Sequence, residues 1–268
     1  MPTTASTVTP RRLDRRDRGK IVFSVCTLVT RPDEYAEMVA TFERGGFGAD
    51  DCEYLFLDNT GANGADAYDG YNHFLTEAAG RYIILCHQDV LLLTDDRAVL
   101  EARLAELDAI SPDWALCGNA GGAGRGRRFA RISDPHGDDQ RRGPFPSQVS
   151  SLDENFILVR RDANLALSHD IGGFHLYGPD LCILADILGR SAWVIDFHLR
   201  HKSGGTVGPD FNACRSVLVA KYRRALRTRW ITTSCTQLLL SGTSLLVSAT
   251  EFARNAKVRL EGRGGTLG

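Results

Sequence analysis

The 268-residue sequence lacks any pairing of its cysteines. The seven stand scattered at Cys26, Cys52, Cys86, Cys117, Cys182, Cys214 and Cys235, an odd number with no CxxC pair. Most lie inside apolar runs, where cysteine behaves as a small hydrophobe. This usage excludes a disulfide framework and a structural zinc site, and it suits a reduced, cytoplasmic protein. A charge excess is also missing: 32 Lys and Arg face 33 Asp and Glu, for a net charge of -1. General nucleic-acid binding therefore has no support from the overall balance. The first twenty residues lack the apolar core of a signal peptide. Residues 1–19 read as a disordered tail whose "RRLDRRDRGK" is a solvated basic run. From Ile231 to Thr250 there is no charged residue, yet Ser, Thr, Gln and Gly are too frequent for a membrane span.

What is present is an alternation of strands and helices. "KIVFSVCTLV" is a continuous apolar run of strand length, rich in β-branched residues. Pro32 opens a helix that runs to about Arg44, with Tyr35, Met38, Val39 and Phe42 on one face. "CEYLFLDN" is a second strand. Tyr68, Tyr71, Leu75 and Ala78 recur at helical spacing until Gly80 stops them. "RYIILC" is a third strand. Asp95 or Asp96 caps a helix striped by Leu100, Leu104 and Leu107, and "DWALCG" is a fourth strand. The order implies parallel strands in an α/β sheet covered on both faces.

Ligands of open parallel sheets bind beyond the carboxyl ends of the strands. Those ends are Thr27–Arg31, Asp58–Asn59 and His87–Asp89. An acid there can hold a metal ion or a ribose, and an adjacent imidazole is a second potential ligand. The plain alternative is that Asp89 caps a turn and His87 packs in the rim. Further on, "SLDENFILVRR" puts Asp153 and Glu154 just before another strand. "GFHLYGPDLC" opens a helix at Gly178 and Pro179, with Asp180 in its first turn. There the helix dipole favours an ionised acid, which serves either a cap or a carboxylate base. "AWVIDFHLRHKSGGT" is a strand followed by a polar loop with His198 and His201.

In this order, "HQDV", "GFHLYGPDLC" and "VIDFHLRHKSGG" resemble the family-2-type glycosyltransferases of the GT-A fold. They are similar to the branch that includes streptomycin-biosynthesis glycosyltransferase-like proteins. The resemblance covers roughly Lys20 to Thr206. It implies a nucleotide-diphospho-sugar transferase fold, with a mostly parallel central sheet flanked by helices. It further implies a divalent metal, Mn2+ or Mg2+, on the diphosphate of a UDP- or GDP-sugar. His87-Gln88-Asp89 stands where the family has a DxD-type motif, so a histidine replaces its first acid. By the same resemblance Asp89 is a metal ligand and His201 completes the set, with His198 in reserve. Thr27, Thr30, Arg31, Asp58, Asn59, His87 and Gln88 would meet the nucleotide, and Asp180 would be the inverting base. Acceptors of such enzymes are glycans, lipid-linked sugars or small molecules.

Two other classes compete. A sugar nucleotidyltransferase should carry a Gly-rich first loop, and "CTLVTRPDEY" has none. A non-catalytic nucleotide-binding or scaffold protein on the same fold would account for the altered triplet. "WALCGNAGGAGRGRR" invites a dinucleotide reading but lacks a clean GxGxxG and follows the wrong strand. It reads instead as a flexible loop, extended by "SDPHGDDQRRGPFPSQ" on the acceptor side. The transferase domain is expected over residues 20–207, followed by a helical extension over 208–268. There, Ala213 to Trp230 reads as a helix with a basic end, "KYRRALRTRW". The extension would pack on the catalytic domain, form a homodimer interface, or meet anionic lipid as a peripheral membrane contact.

Overall fold

A computed structural model describes residues 20–48, 50–61, 64–205, 207–232, 237–250 and 252. The expected N-terminal tail lies outside the described residues. The chain divides into two compact units, Met1–Phe211 and Asn212–Gly268.

The first unit begins with β1 (Phe23–Val29), α1 (Pro32–Arg44), β2 (Cys52–Asp58), α2 (Ala67–Glu77) and β3 (Tyr82–Cys86). β4 (Val90–Leu92), α3 (Arg97–Ile110), β5 (Trp114–Gly118), β6 (Ala120–Ala123), β7 (Arg127–Asp134) and β8 (Gly137–Arg142) follow. Then come β9 (Ser147–Val149), β10 (Ser151–Leu152), β11 (Phe156–Arg160), α4 (Tyr177–Ile187), β12 (Ser191–Val194) and β13 (Leu199–His201). α5 (Pro209–Ala225) leads into the second unit, which adds the antiparallel pair β14 (Arg229–Thr232) and β15 (Gln237–Leu240).

The central sheet has the order β2-β1-β3-β11-β5-β12-β9. β1 runs parallel to β2 and β3, and β12 runs parallel to β5. The sheet is nevertheless mixed, because β11 is antiparallel to both β3 and β5, and β9 is antiparallel to β12. The parallel pairs meet the expectation of a mostly parallel sheet, and β11 is its antiparallel interior strand. "FILVR" is buried on both faces, and its apolar run carries no signal of direction.

The local signals are otherwise met. α1 starts at Pro32, whose missing N–H costs nothing in a first turn. Of the two expected caps of α3, Asp96 is the one used, accepting from the Val99 N–H at 3.0 Å. Alternate strand residues divide between two layers. Phe23, Val25, Tyr82, Ile84 and Phe156 pack with Met38 and Phe42 of α1 and Leu100, Leu104 and Leu107 of α3. α2 and α4 meet elsewhere, with the Tyr71 and Tyr177 rings 4.8 Å apart. Burying each such large side chain stabilises the fold by about 1.5–3 kcal/mol.

A second sheet, β10-β6-β7-β13-β4 with β8 beside β7, takes up the stretch expected to be a flexible loop. "AGGA" and "RRFARISD" are strands because glycines admit a close partner. A Cβ at Gly121 would lie 2.4 Å from the Ser151 carbonyl oxygen. In the second unit α5 ends at Ala225 and not at Trp230. "RWIT" and "QLLL" are rich in aromatic and β-branched or large apolar residues and form a hairpin instead.

Candidate metal and nucleotide site

β3 ends at Cys86, and a tight turn carries His87, Gln88 and Asp89 into β4. The turn is held by the Val90 N–H on the His87 carbonyl at 3.3 Å. β4 pairs antiparallel with β13, so that Val90 lies opposite His201. That pairing joins two segments more than a hundred residues apart, with the Lys202 N–H on the Asp89 carbonyl at 3.0 Å.

The side chains then converge. His87 Nδ1 is 3.3 Å from His201 Nε2, and Asp89 Oδ1 is 3.4 Å from the same nitrogen. Ser203 donates its N–H to Asp89 Oδ2 at 3.1 Å, and its hydroxyl is 3.2 Å from His201 Nε2. His87, Asp89 and His201 each offer a ligand atom within 4.8 Å of the others.

The protonation of His87 follows from its other nitrogen. The Tyr177 hydroxyl spends its single proton on the Glu154 carbonyl at 2.8 Å. It can therefore only accept from His87 Nε2, also 2.8 Å away. Nε2 carries the hydrogen, and Nδ1 presents a bare lone pair towards His201. Burial, reinforced by the neighbouring His201, pushes the His87 pKa down to about 4, so the ring is neutral near pH 7. Burial on its own would raise the Asp89 carboxyl. Hydrogen bonds from His201 and Ser203 outweigh it and hold the carboxyl well below the usual range. Two imidazoles and an ionised acid form a donor set that fits a divalent cation.

Tyr177→Phe should lower Mn2+ affinity about 10- to 100-fold, as loss of an outer partner of a ligating histidine typically does. Titration with Mn2+ alone reads this directly. Unchanged affinity would mean that Tyr177 does not orient His87.

The expected nucleotide residues occupy neighbouring strand ends, since Val29 of β1 lies opposite Asp58 of β2. Their side chains divide into two kinds. Gln88 is buried; its carbonyl accepts from the Thr30 and Arg31 N–H groups at 2.9 and 2.8 Å, and its amide donates to the Thr30 hydroxyl. It shapes the β1–α1 loop. Asn59 is likewise buried and pins the next loop through both atoms of its amide to Ala65. Thr27 is fully buried in β1, away from any open surface. Gln88 and Asn59 position backbone, whereas the Thr27 hydroxyl has no hydrogen-bond partner among the described residues. Three are exposed: Thr30, Arg31, whose guanidinium meets Glu34 at 2.7 Å, and Asp58, whose carboxyl pKa is lowered by hydrogen bonds from Thr60.

Asp180 does not stand at this site as an open carboxylate. It is fully buried, and its two oxygens accept from the Ser168 N–H and hydroxyl, each at 2.8 Å. A helix-start acid is legible in sequence, but whether it faces a substrate or a neighbouring loop is not. His198 is also elsewhere, 2.9 Å from the Ser133 hydroxyl, with its N–H on Asp95.

Sequence reasoning passed over Tyr177, Ser203, Asp153 and Glu154 as site residues, although all lie in quoted segments. β11 enters the sheet with Phe156 opposite Cys86, which brings the residues before it to the end of β3. Asp153 is exposed on the wall of an open cleft of about 640 Å³, shared with Gly121, Arg128, His136 and Arg142. Its charge acts on the His87 ring. Glu154 accepts from the Gly178 N–H, yet burial, with Asp153 adding to it, pushes its pKa up to about 8.

A carboxyl raised in the folded state stabilises at low pH. That contribution is lost as pH rises from 4.5 through about 8. Thermal melts should therefore show the wild type losing on the order of 4 kcal/mol relative to Glu154→Gln between pH 5 and pH 9. Parallel pH profiles for the two proteins would refute a protonated Glu154.

Fold and site together define an α/β protein with a His/Asp donor set at the edge of its sheet. The chain is 38% identical over 221 residues to a Fuscovulum blasticum protein named ATP synthase subunits region ORF 6. The alignment spans 80% of this chain and 89% of that protein. The chain belongs to the family of that protein, whose name states a reading frame and no activity. No protein-family model matches the chain.

Among solved structures, similarity is found to the mannosyltransferase PcManGT from Pyrobaculum calidifontis in complex with GDP-Man and Mn2+. The TM-score is 0.47 and the identity 12%, over 76% of this chain and 64% of that one. S. aureus TarS gives 0.47 and 13%, over 74% of this chain and 39% of its own length. A197 from STIV gives 0.41 and 11%, over 68% and 85%. The α/β fold with a mixed central sheet rests on the strand order and pairing of this chain itself. At such identities and scores these likenesses carry no argument about the fold or the chemistry of this chain.

Proposed function

We propose that the protein is a metal-assisted glycosyltransferase that moves a sugar from a nucleotide-diphosphate donor to an acceptor hydroxyl, with inversion. The observation that carries this is the pair of imidazole nitrogens 3.3 Å apart beside Asp89, with one of them bared by Tyr177. On this reading His87 Nδ1, His201 Nε2 and Asp89 hold Mn2+ or Mg2+. The cation would supply positive charge at the departing diphosphate.

The chain's own residues do the rest. Arg31 and Asp58 flank the nucleotide, on loops that Gln88 and Asn59 fix. Arg128 and Arg142 line the cleft, where guanidinium forks suit phosphate or polar sugar oxygens. Asp153 is the acid placed to take the proton of the attacking hydroxyl, a role worth about a hundred- to ten-thousandfold. It replaces Asp180 in that role, because Asp180 has no open face. The motif resemblance to the streptomycin-biosynthesis branch of family 2 supports the same class. Donors are UDP- or GDP-sugars, and acceptors are glycans, lipid-linked sugars or small molecules.

Calorimetric titration with UDP and with GDP, each with and without Mn2+, tests the reading. Binding of either nucleotide that depends on Mn2+ is the expected result. Binding of neither would sink the donor site and leave a non-catalytic role.

A further inference from the structure

Charge is unevenly divided along the chain. From Asn212 to Gly268 there are ten Lys and Arg against two Glu, although the whole chain carries a net charge of -1. Between Asn212 and Thr250 there are six basic residues and no acid at all. Such asymmetry marks a segment that engages an anionic partner.

The arrangement of these residues narrows the partner. On α5, Arg215, Val219 and Arg223 follow one another at four-residue spacing, which places them on one face, and they and Arg227, just beyond the helix end, are all exposed. Arg227 and Arg229 each set one guanidinium nitrogen on a carbonyl at the end of α5, on Arg224 and Ala225. A guanidinium has five N–H donors, so most remain for other contacts. Large apolar side chains stand open in the same unit. Leu226 and Trp230 are 65% and 57% exposed, and Leu245 and Phe252 are 80% and 77% exposed. Leu238 and Leu240 project from a two-stranded hairpin, a form that is marginal in water without a covering surface.

Three partners answer to positive charge. A nucleic acid would satisfy the arginines and leave the leucines and Phe252 in water. A second copy packed through the same unit would cover the apolar side chains but set like charge against like charge. An anionic bilayer satisfies both, with arginines at the phosphates and apolar side chains between the headgroups. Among the described residues no helix is long and apolar enough to cross a membrane, so contact of this kind is peripheral.

We propose that the unit from Asn212 onward is a docking surface for an anionic phospholipid bilayer, with α5 and the β14–β15 hairpin at its centre. The proposal goes beyond the reading of the His87 site and stands independently of it.

Co-sedimentation of the full chain with phosphatidylcholine vesicles, alone or with about 30% phosphatidylglycerol, tests it. Partitioning onto the anionic vesicles should exceed that onto neutral ones at least about tenfold, and should fall as salt is raised from about 0.1 to about 0.5 M. The triple variant Arg215→Ala, Arg223→Ala, Arg227→Ala should lose about a hundredfold. Trp230→Ser with Leu226→Ser should weaken binding while leaving its salt dependence in place. Equal partitioning onto both vesicles, or wild-type behaviour of the triple-arginine variant, would overturn the proposal. So would displacement from vesicles by duplex DNA, which would assign the surface to nucleic acid. A dimer that light scattering shows to persist with anionic vesicles, without co-sedimentation, would assign it to self-association.

Discussion

Asp89→Asn should abolish metal-dependent nucleotide binding, with a loss on the order of a thousandfold, greater than that from an outer partner such as Tyr177. The substitution is nearly isosteric. Its remaining carbonyl can still accept the Ser203 N–H, and the Lys202 N–H still meets the backbone carbonyl of residue 89. What disappears is the negative charge 3.4 Å from His201. Folding should therefore survive, which far-ultraviolet circular dichroism and a melt would check. Titration with Mn2+ and then with the nucleotide that the wild type binds gives the main result. Wild-type affinity in a folded Asp89→Asn protein would remove Asp89 from the metal site. It would also leave the two histidines as an ordinary packed pair.

Gly178→Ala has the second large expected effect, and it acts through the backbone. A Cβ at residue 178 would lie 2.4 Å from the carbonyl oxygen of Leu152, in β10, and 3.3 Å from Glu154 Cγ. A carbonyl in a paired strand cannot swing aside as a side chain can. The first turn of α4 must lift, and Tyr177 lifts with it. The strain should cost about 3 kcal/mol, at the upper end for overpacking, and lower the melting temperature by roughly 10 °C. Mn2+ affinity should fall at least about tenfold as Tyr177 leaves His87. A melting temperature within a few degrees of wild type, with unchanged Mn2+ affinity, would show that α4 is not seated as described.

Much of this arrangement was legible in the residues. Pro32, Asp96 and the Leu100-Leu104-Leu107 stripe announce their helices, because caps and periodicity are local. The ends of β1, β2 and β3 were legible as one edge, because parallel strands joined by helices must point the same way. The direction of β11 was not legible, since an apolar run buried on both faces looks the same in either sense. The second sheet was hidden for a related reason. "AGGAGRGRRFAR" has the composition of a loop, and only the close backbone approach at Gly121 makes it a strand. His87, Asp89 and His201 could be grouped only through the resemblance to a family, since spacing in sequence says nothing of a pairing between β4 and β13. The burial of Asp180 against Ser168 was not legible, because helix-start chemistry is the same whether the acid faces a substrate or a neighbouring loop. Tyr177 went unremarked because its importance lies in where its one proton goes.

The position of β11 also bears on how the chain is made. It fills the gap between β3 and β5, both of which precede it by many residues. Until residues 156–160 have emerged, two wholly buried strands each present an open edge, the kind of surface on which unfinished chains aggregate. β13 arrives later still, and with it His201. A growing chain therefore holds His87 and Asp89 long before it holds their partner, and the three come together only after the sheet has closed around its central strand. A cation captured by that group would bind the completed first unit and no shorter nascent form, which would make metal affinity a reporter of finished folding.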